Sequence, residues 1–128
     1  MSDLKFFLCH RCGNLVYKVI NGGGSLVCCG EKMEELVAKT ADSSTEKHVP
    51  LINIDGQNVK VTVGSTLHPM LEAHYIQWIA LETTNGGCQM RELKPGQEPV
   101  ANFVLAEGEK VVAAYEYCNV HGLWKAEV

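Results

Sequence analysis

The chain has 128 residues, a formal net charge of −4 at pH 7 and six cysteines. Its length suits one ordinary domain, or a small module joined to a domain that can bury its own core. It has no basic run typical of nucleic-acid binding and no apolar run that could span a membrane, so we expect neither partner. The apolar segment before Cys9 is too short for a signal peptide, which favours a soluble cytoplasmic protein. Cysteines in that compartment serve as metal ligands or free thiols.

The first 36 residues are predicted to form a small metal-stapled module, because they carry a Cys-x-x-Cys motif and a vicinal pair of cysteines, each followed by glycine. Such motifs let sulfurs and nearby backbone amides surround one cation. A strand is predicted over 14–20, with a glycine turn and a return through 25–27, so that four thiolates meet across a hairpin. Too few apolar residues are present for the module to fold without a metal. The four thiols belong to Cys9, Cys12, Cys28 and Cys29.

The adjacent Cys28 and Cys29 distinguish this module from a common zinc ribbon. Zinc ribbons usually repeat Cys-x-x-Cys, whereas neighbouring cysteines must splay apart to reach one ion and would distort a tetrahedron. The spacing resembles that of desulforedoxin, in which such a set holds one iron. The resemblance implies iron here, while the residues alone leave structural zinc open. His10, inside the first motif, is expected to be solvated because four thiolates already complete a tetrahedral site.

A polar segment, 37–47, separates the module from the rest of the chain. It loses the apolar pattern and gains small and polar residues, so we predict a linker there. Its last residues, Glu46 and Lys47, stand beside His48 and shortly before Pro50, which disfavours helix at the residue preceding it. Taken alone, this charged stretch would be interpreted as a solvated loop.

Residues 48–128 show short runs with the period-two alternation of β-strands. The run 59–63 is an example, and it follows the hairpin signal Asp55-Gly56-Gln57-Asn58. About seven short strands with regular turns and no convincing helix favour an antiparallel β-sandwich of immunoglobulin-like type, so the whole chain is predicted to be all-β. Cys88 lies in one of these runs and is predicted to be a buried free thiol. The predicted strands are 51–54, 59–63, 75–81, 88–93, 100–105 and 110–117.

Five residues of this domain are candidate metal ligands. Cys118 and His121 stand three positions apart after the last predicted strand, and they offer a soft sulfur and a nitrogen at one strand end. His48, His68 and His74 lie in loops or at strand edges. A single histidine in such a place is more often a surface or hydrogen-bonded residue than a ligand. These residues therefore form a metal site only if the fold brings all five side chains together.

Four blocks of sequence in this part of the chain resemble the signature of superoxide reductase. They occur in the family's order. With the desulforedoxin-like module in front, the whole chain is similar to desulfoferrodoxin, the two-iron class of that enzyme, with a neelaredoxin-like C-terminal domain. The blocks are Glu46-Lys47-His48-Val49-Pro50, His68-Pro69-Met70, His74-Tyr75-Ile76-Gln77-Trp78 and Cys118-Asn119-Val120-His121-Gly122-Leu123-Trp124.

The resemblance implies two irons in each chain, one in an Fe(Cys)4 centre and one in an Fe(His)4(Cys) centre. Superoxide would take one electron from ferrous iron and two protons, and would leave as hydrogen peroxide. Lys47 would attract superoxide and aid proton delivery, and Glu46 would help to expel the product. A homodimer and an external rubredoxin-like electron donor are also implied. The implied ligands of the second iron are His48, His68, His74 and His121 in one plane, with Cys118 on the axis and a sixth position open.

Two other functions stay open on the residues alone. A blue-copper electron carrier would also use Cys-x-x-His late in a β-sandwich. It needs a weak axial methionine after the second histidine, and Gly122-Leu123-Trp124 offers none. A non-enzymatic interaction module would carry a zinc knuckle on a sandwich with scattered histidines, and it would bind zinc alone.

Overall fold

The computed structural model describes residues 4–41, 48–64 and 68–128. Within these ranges the regular secondary structure is β-strand, which confirms the predicted all-β class. No helix long and apolar enough to cross a membrane is found among the described residues. The chain divides into two compact units, Asp3–Val37 and a second one built on Ala38–Val128. The limits of the linker stay a prediction, because 42–47 lie outside the described residues.

The N-terminal unit consists of two small antiparallel sheets. In one, β1 lies between β2 and β5, and in the other β3 pairs with β4. None of these strands is longer than three residues, so the sheets alone bury little apolar surface. The strands are β1 (Phe6–Leu8), β2 (Leu15–Tyr17), β3 (Val27–Cys28), β4 (Glu31–Lys32) and β5 (Glu34–Glu35).

The hairpin predicted for this unit is wrong in its pairing. Part of the predicted strand 14–20 does form β2, but β2 pairs with β1 and not with the segment that leads to Cys28. Each cysteine motif instead closes its own hairpin. Gly13 and Gly30 make these turns possible, because their φ angles of 83° and 76° are values that glycine adopts without strain. The four thiols therefore come from two separate tight turns.

The C-terminal unit is a sandwich of two antiparallel sheets, one with strand order β10-β7-β6 and the other with β12-β11-β8-β9. These seven strands confirm the predicted sandwich. The turn at Gly56 and Gln57 joins β6 to β7 as predicted, whereas β12 was not anticipated as a strand. The strands are β6 (Pro50–Asp55), β7 (Asn58–Val63), β8 (Ile76–Thr83), β9 (Cys88–Glu92), β10 (Val100–Val104), β11 (Val111–Cys118) and β12 (Gly122–Glu127).

The alternation of β7 fixes the side of that strand that faces the core. Val59, Val61 and Val63 are at most 1% exposed, and the residues between them are more open to solvent. They belong to one apolar cluster with residues of β8, β10 and β11, including Phe103 and Cys118. Burial of such a cluster is the main favourable term in folding. The same core thus holds one of the candidate ligands in place.

Replacing Phe103 with alanine is expected to lower the free energy of unfolding of this unit by about 3–5 kcal/mol. Phe103 is 1% exposed, and the guanidinium of Arg91 lies 5.0 Å from its ring centre. Val104→Ala is the matched control on the same strand; Val104 is 65% exposed, and a change within about 0.5 kcal/mol is expected.

Urea unfolding of the iron-loaded full chain, followed by tryptophan fluorescence, measures this effect. Both tryptophans, Trp78 and Trp124, lie in the C-terminal unit, so the signal reports on it alone. Equal losses for the two variants would contradict the placement of the core.

Candidate metal centres

The structure brings the five candidate ligands of the C-terminal unit together in one group, the histidine–cysteine site. Their ligand atoms, one from each side chain, all lie within 4.8 Å of one another. His48, His68 and Cys118 are at most 3% exposed, while His74 and His121 are half-buried. Because the ligand atoms converge, these histidines are better explained as members of one metal site than as separate surface residues.

The four imidazoles form a closed ring. Neighbouring ring centres are 4.8 Å apart for His48 and His68, for His68 and His74, and for His48 and His121. The ring closes between His74 and His121, whose centres are 5.1 Å apart. The planes of neighbouring rings are inclined by 62° to 90°. Four imidazoles in this arrangement could offer four nitrogen atoms to one metal ion.

Cys118 lies against two members of this ring. Its Sγ is 3.5 Å from Nε2 of His68 and 4.0 Å from Nδ1 of His121. The same Nδ1 lies 3.1 Å from Nε2 of His48. In His68 the other nitrogen, Nδ1, lies 2.7 Å from the carbonyl oxygen of Pro69. A neutral His68 that donates its Nδ1 proton to this carbonyl directs the Nε2 lone pair into the cluster, as carbonyl partners of metal-bound histidines do.

A short turn explains the Cys-x-x-His spacing. Cys118 ends β11 and pairs with Gly122 at the start of β12, so His121 sits in the turn between them. The φ angle of 86° at Gly122 favours glycine. The register of β11 against β8 also shifts at Cys118, which pairs with Ile76 and leaves Gln77 as an extra residue. Bulges of this kind re-aim side chains beside functional sites.

Asn119 ties that turn to the residues around His74. Its Nδ2 donates to the carbonyl oxygen of Ala73 at 3.1 Å, and its Oδ1 accepts from the backbone N–H of Tyr75 at 2.9 Å. Its own backbone N–H donates to the carbonyl oxygen of Tyr75 at 3.2 Å. These bonds hold His74 beside the turn that carries His121. The sequence interpretation missed this role, and the place of Asn119 inside the Cys-x-x-His motif was the available signal.

Trp124 forms one wall of the site. Its ring stacks on His48 with 4.6 Å between ring centres and 11° between the planes. Its Nε1 donates to the carbonyl oxygen of His121 at 3.2 Å. The two residues predicted to assist the reaction, Glu46 and Lys47, lie outside the described residues, and their roles stay predictions.

The N-terminal unit brings Cys9, Cys12, Cys28 and Cys29 into a second group, the four-cysteine site. The Sγ atoms of Cys12 and Cys28 are 3.6 Å apart, and those of Cys28 and Cys29 are 4.0 Å apart. Asn14 adds two donors, its backbone N–H to the Cys12 sulfur at 3.5 Å and its Nδ2 to the Cys28 sulfur at 3.6 Å. Hydrogen bonds to sulfur are one of the means by which proteins tune iron–sulfur centres.

The crowded sulfurs of this site do not lose all their protons easily in the absence of a cation. The backbone N–H of Cys12 lowers the pKa of the Cys9 thiol to about 6. The Cys12 side chain, in contrast, raises the pKa of Cys29 to about 12 and also raises that of Cys28. Negative charges that share a small site oppose one another. Because metals bind the thiolate form, a cation among the four sulfurs would supply the compensating charge.

Both donor sets fit iron. Four thiolates from two tight turns suit a single iron or zinc ion. Four imidazoles and one thiolate would suit a non-haem iron and would leave it able to take one further small ligand.

Two further candidates lie outside both groups. His10 is exposed, and its Nε2 lies 2.7 Å from Oε1 of Glu34. Cys88 is a free thiol, as predicted, but it is half-buried rather than buried. Burial raises its pKa, with a smaller contribution from the charge of Glu82. Neither residue belongs to a metal-ligating group among the described residues.

Comparisons with known proteins cover both units. The family model described as Desulfoferrodoxin matches residues 40–127, and the model of the desulfoferrodoxin N-terminal domain matches 2–36. Desulfoferrodoxin from Desulfarculus baarsii is 52% identical over 126 residues, which cover 97% of this chain and 96% of the relative. Desulfoferrodoxin from Nitratidesulfovibrio vulgaris is 49% identical over 126 residues, 98% of each chain. The crystal structure of superoxide reductase from Treponema pallidum has 36% identity and a TM-score of 0.86 over 98% of each chain. The chain therefore belongs to the desulfoferrodoxin family.

Proposed function

We propose that this chain is a superoxide reductase, which passes one electron from a mononuclear non-haem ferrous site to superoxide. Superoxide also takes up two protons and leaves as hydrogen peroxide, and no molecular oxygen is formed. The observation that carries the proposal is the convergence of four imidazoles and one thiolate in a chain of the desulfoferrodoxin family. The similar structure from Treponema pallidum is that of a superoxide reductase.

Two irons are the cofactors, since the four-cysteine site and the histidine–cysteine site match the two iron sites of the desulfoferrodoxin family. We assign the ligands from the side chains that meet in each group. Those of the first iron are Cys9, Cys12, Cys28 and Cys29. Those of the second are His48, His68, His74, His121 and Cys118.

The second site suits electron donation to a small anion, because its thiolate is buried while its imidazole ring is partly open. The iron supplies the electron when bound, and a thiolate ligand increases its electron density, as in thiolate-ligated haem proteins. Cys118 is 0% exposed and belongs to the apolar core, so its sulfur is protected from water and oxidants. We therefore expect superoxide to approach the imidazole ring from the side opposite Cys118. Half-buried His74 and His121 form the more open part of that ring.

Lys47→Ala is expected to slow the capture of superoxide about three- to tenfold at low ionic strength, because superoxide is an anion and the chain as a whole carries −4. The loss should shrink as salt is raised, since the Debye length falls from about 30 Å at 0.01 M to about 8 Å at 0.15 M. Pulse radiolysis at several ionic strengths measures this dependence. Lys110→Ala, an exposed lysine of the same unit, is the control. An unchanged rate for Lys47→Ala at low salt would count against steering by this residue.

We also propose that the protein works in the cytoplasm, as a homodimer re-reduced by a rubredoxin-like donor. No disulfide joins any of the six cysteines, all of which the structure describes, and this suits a reducing compartment. The dimer and the donor rest on the resemblance to desulfoferrodoxin. Sedimentation of the iron-loaded protein, and its rate of reduction by reduced rubredoxin, test these two points.

Metal analysis of the protein as purified separates this function from the two alternatives. The reductase requires two irons per chain. A blue-copper carrier uses two histidines and one cysteine, whereas four imidazoles meet here. One copper per chain would nevertheless revive that function. One zinc without iron, and no activity after reconstitution with ferrous iron, would leave the interaction module as the better account.

A further inference from the structure

Lys39 lies in the segment predicted as a linker, yet it is built into the C-terminal unit. Its backbone N–H donates to the carbonyl oxygen of Leu123 at 2.9 Å, and its carbonyl oxygen accepts from the N–H of Lys125 at 2.9 Å. Lys39 therefore forms a parallel bridge opposite Trp124 at the outer edge of β12. Two backbone bonds fix the position from which its side chain extends.

The ammonium group of Lys39 reaches the turn that carries His121. Its Nζ donates to the carbonyl oxygen of His121 at 2.9 Å and lies 5.0 Å from the ring centre of Trp124. A β-carbon added at Gly122 would come to 4.0 Å from the same Nζ, which shows how closely the ammonium lies against this turn. A lysine with a carbonyl partner and an aromatic face is held more firmly than one in free solvent.

These contacts connect Lys39 to two proposed iron ligands. The carbonyl oxygen of His121 accepts from both Lys39 Nζ and Trp124 Nε1, at 2.9 and 3.2 Å. Trp124 in turn stacks on His48. A change at Lys39 would therefore reach His121 through its backbone and His48 through the indole. The positive charge stays at the edge of the site, because Lys39 itself is exposed.

We propose that Lys39 is a positioning residue of the histidine–cysteine site: it fixes the His121 turn against Trp124 and places a positive charge beside the turn of this proposed iron ligand. This role rests on the proposed function. A nearby positive charge favours the ferrous state, which carries one positive charge fewer than the ferric state, so Lys39 raises the reduction potential of the iron. The same charge attracts superoxide independently of Lys47.

The test compares Lys39→Met, which keeps the alkyl stem but loses the charge and the donor, with Lys39→Arg, which keeps both. The readouts are the midpoint potential of the iron in the histidine–cysteine site, its thiolate-to-iron absorption band and the rate of superoxide reduction against salt. We expect Lys39→Met to lower the potential, shift the band and slow the reaction about threefold at low ionic strength. Lys39→Arg should keep the wild-type potential, absorption band and rate. Lys60→Met, which removes an exposed lysine from β7, should match the wild type.

An iron-loaded Lys39→Met protein with the wild-type potential and absorption band would overturn the proposal, as would an arginine variant that fails to recover either value. Lys39→Gln keeps a hydrogen-bond donor but not the charge. It tests the role of the charge if the methionine variant fails to fold. It should hold the band near its wild-type position while the potential stays low, and a wild-type potential in this variant would also overturn the role of the charge. If the wild-type iron protein reduces no superoxide but its potential still falls in Lys39→Met, the proposed function fails while the positioning role stands.

Discussion

Cys118→Ala is expected to abolish superoxide reduction, with a loss of more than about 100-fold. Partners that only orient metal ligands typically cost about 10–100-fold when removed, and loss of a ligand itself should exceed that range. Cys118 supplies the one sulfur among the five donor atoms, and it is 0% exposed. Four imidazoles without a thiolate could still hold a divalent metal, but the electron density that the sulfur gives to iron would be lost. Pulse radiolysis of the pre-reduced variant, normalised to its iron content, measures the effect.

Cys88→Ala is the matched control for that experiment. It removes one thiol from the same unit, but Cys88 lies in β9 outside both ligand groups. Its rate should stay within about twofold of the wild type, because Cys88 pairs with Glu82, near the end of β8 opposite to Ile76, the partner of Cys118. An iron-loaded Cys118→Ala protein with a rate close to that of the wild type would contradict the proposed role of the thiolate as an iron ligand.

Cys9→Ala is expected to unfold the N-terminal unit and to leave the sandwich active. Among the residues that the structure describes, this unit has just four buried apolar side chains, those of Phe6, Phe7, Cys9 and Met33. A core this small cannot offset the conformational entropy of about 35 residues. Structural zinc in peptides of similar size contributes about 10–16 kcal/mol of binding free energy, so the metal decides whether such a unit folds. Amide exchange of the full-length variant should show lost protection in β1 and β2.

The same variant should keep one iron and reduce superoxide within about twofold of the wild-type rate when it is pre-reduced. His10→Ala is the control, because His10 lies in the same cysteine motif but is exposed and bonds to Glu34. This control should retain both irons and the protection of β1 and β2. Protected strands in a Cys9→Ala protein that has lost its first iron would show that the unit folds without its metal.

The sandwich could be predicted from the sequence because its strands are long enough to show alternation. The valines of β7 alternate with polar residues, and the turn at Gly56 and Gln57 separates β7 from β6, so both the strands and their pairing were predictable. The strand pairing in the N-terminal unit could not be predicted, because strands of two or three residues are too short to show alternation. There the turns at Gly13 and Gly30 decide the pairing.

The candidate ligands could be found in the sequence because their residue types and the Cys-x-x-His spacing are specific to metal chemistry. The role of Lys39 could not be found there, since lysine in a polar segment is common everywhere. Asn119 could be singled out by its place inside the Cys-x-x-His motif, but the motif does not show which atoms it bonds. Their significance depends on which distant backbone atoms the fold brings near them, namely those of Ala73 and Tyr75 for Asn119 and His121 for Lys39. Topology, and not local pattern, determines these contacts.

The ratio of hydrogen peroxide formed to superoxide consumed, measured with pre-reduced iron-loaded protein and no other reductant, tests the central claim most directly. The account predicts one hydrogen peroxide for each superoxide, with one ferrous ion oxidised in the histidine–cysteine site and no oxygen released. Half as much hydrogen peroxide, accompanied by oxygen, would show that the site dismutates superoxide and would contradict the reductase.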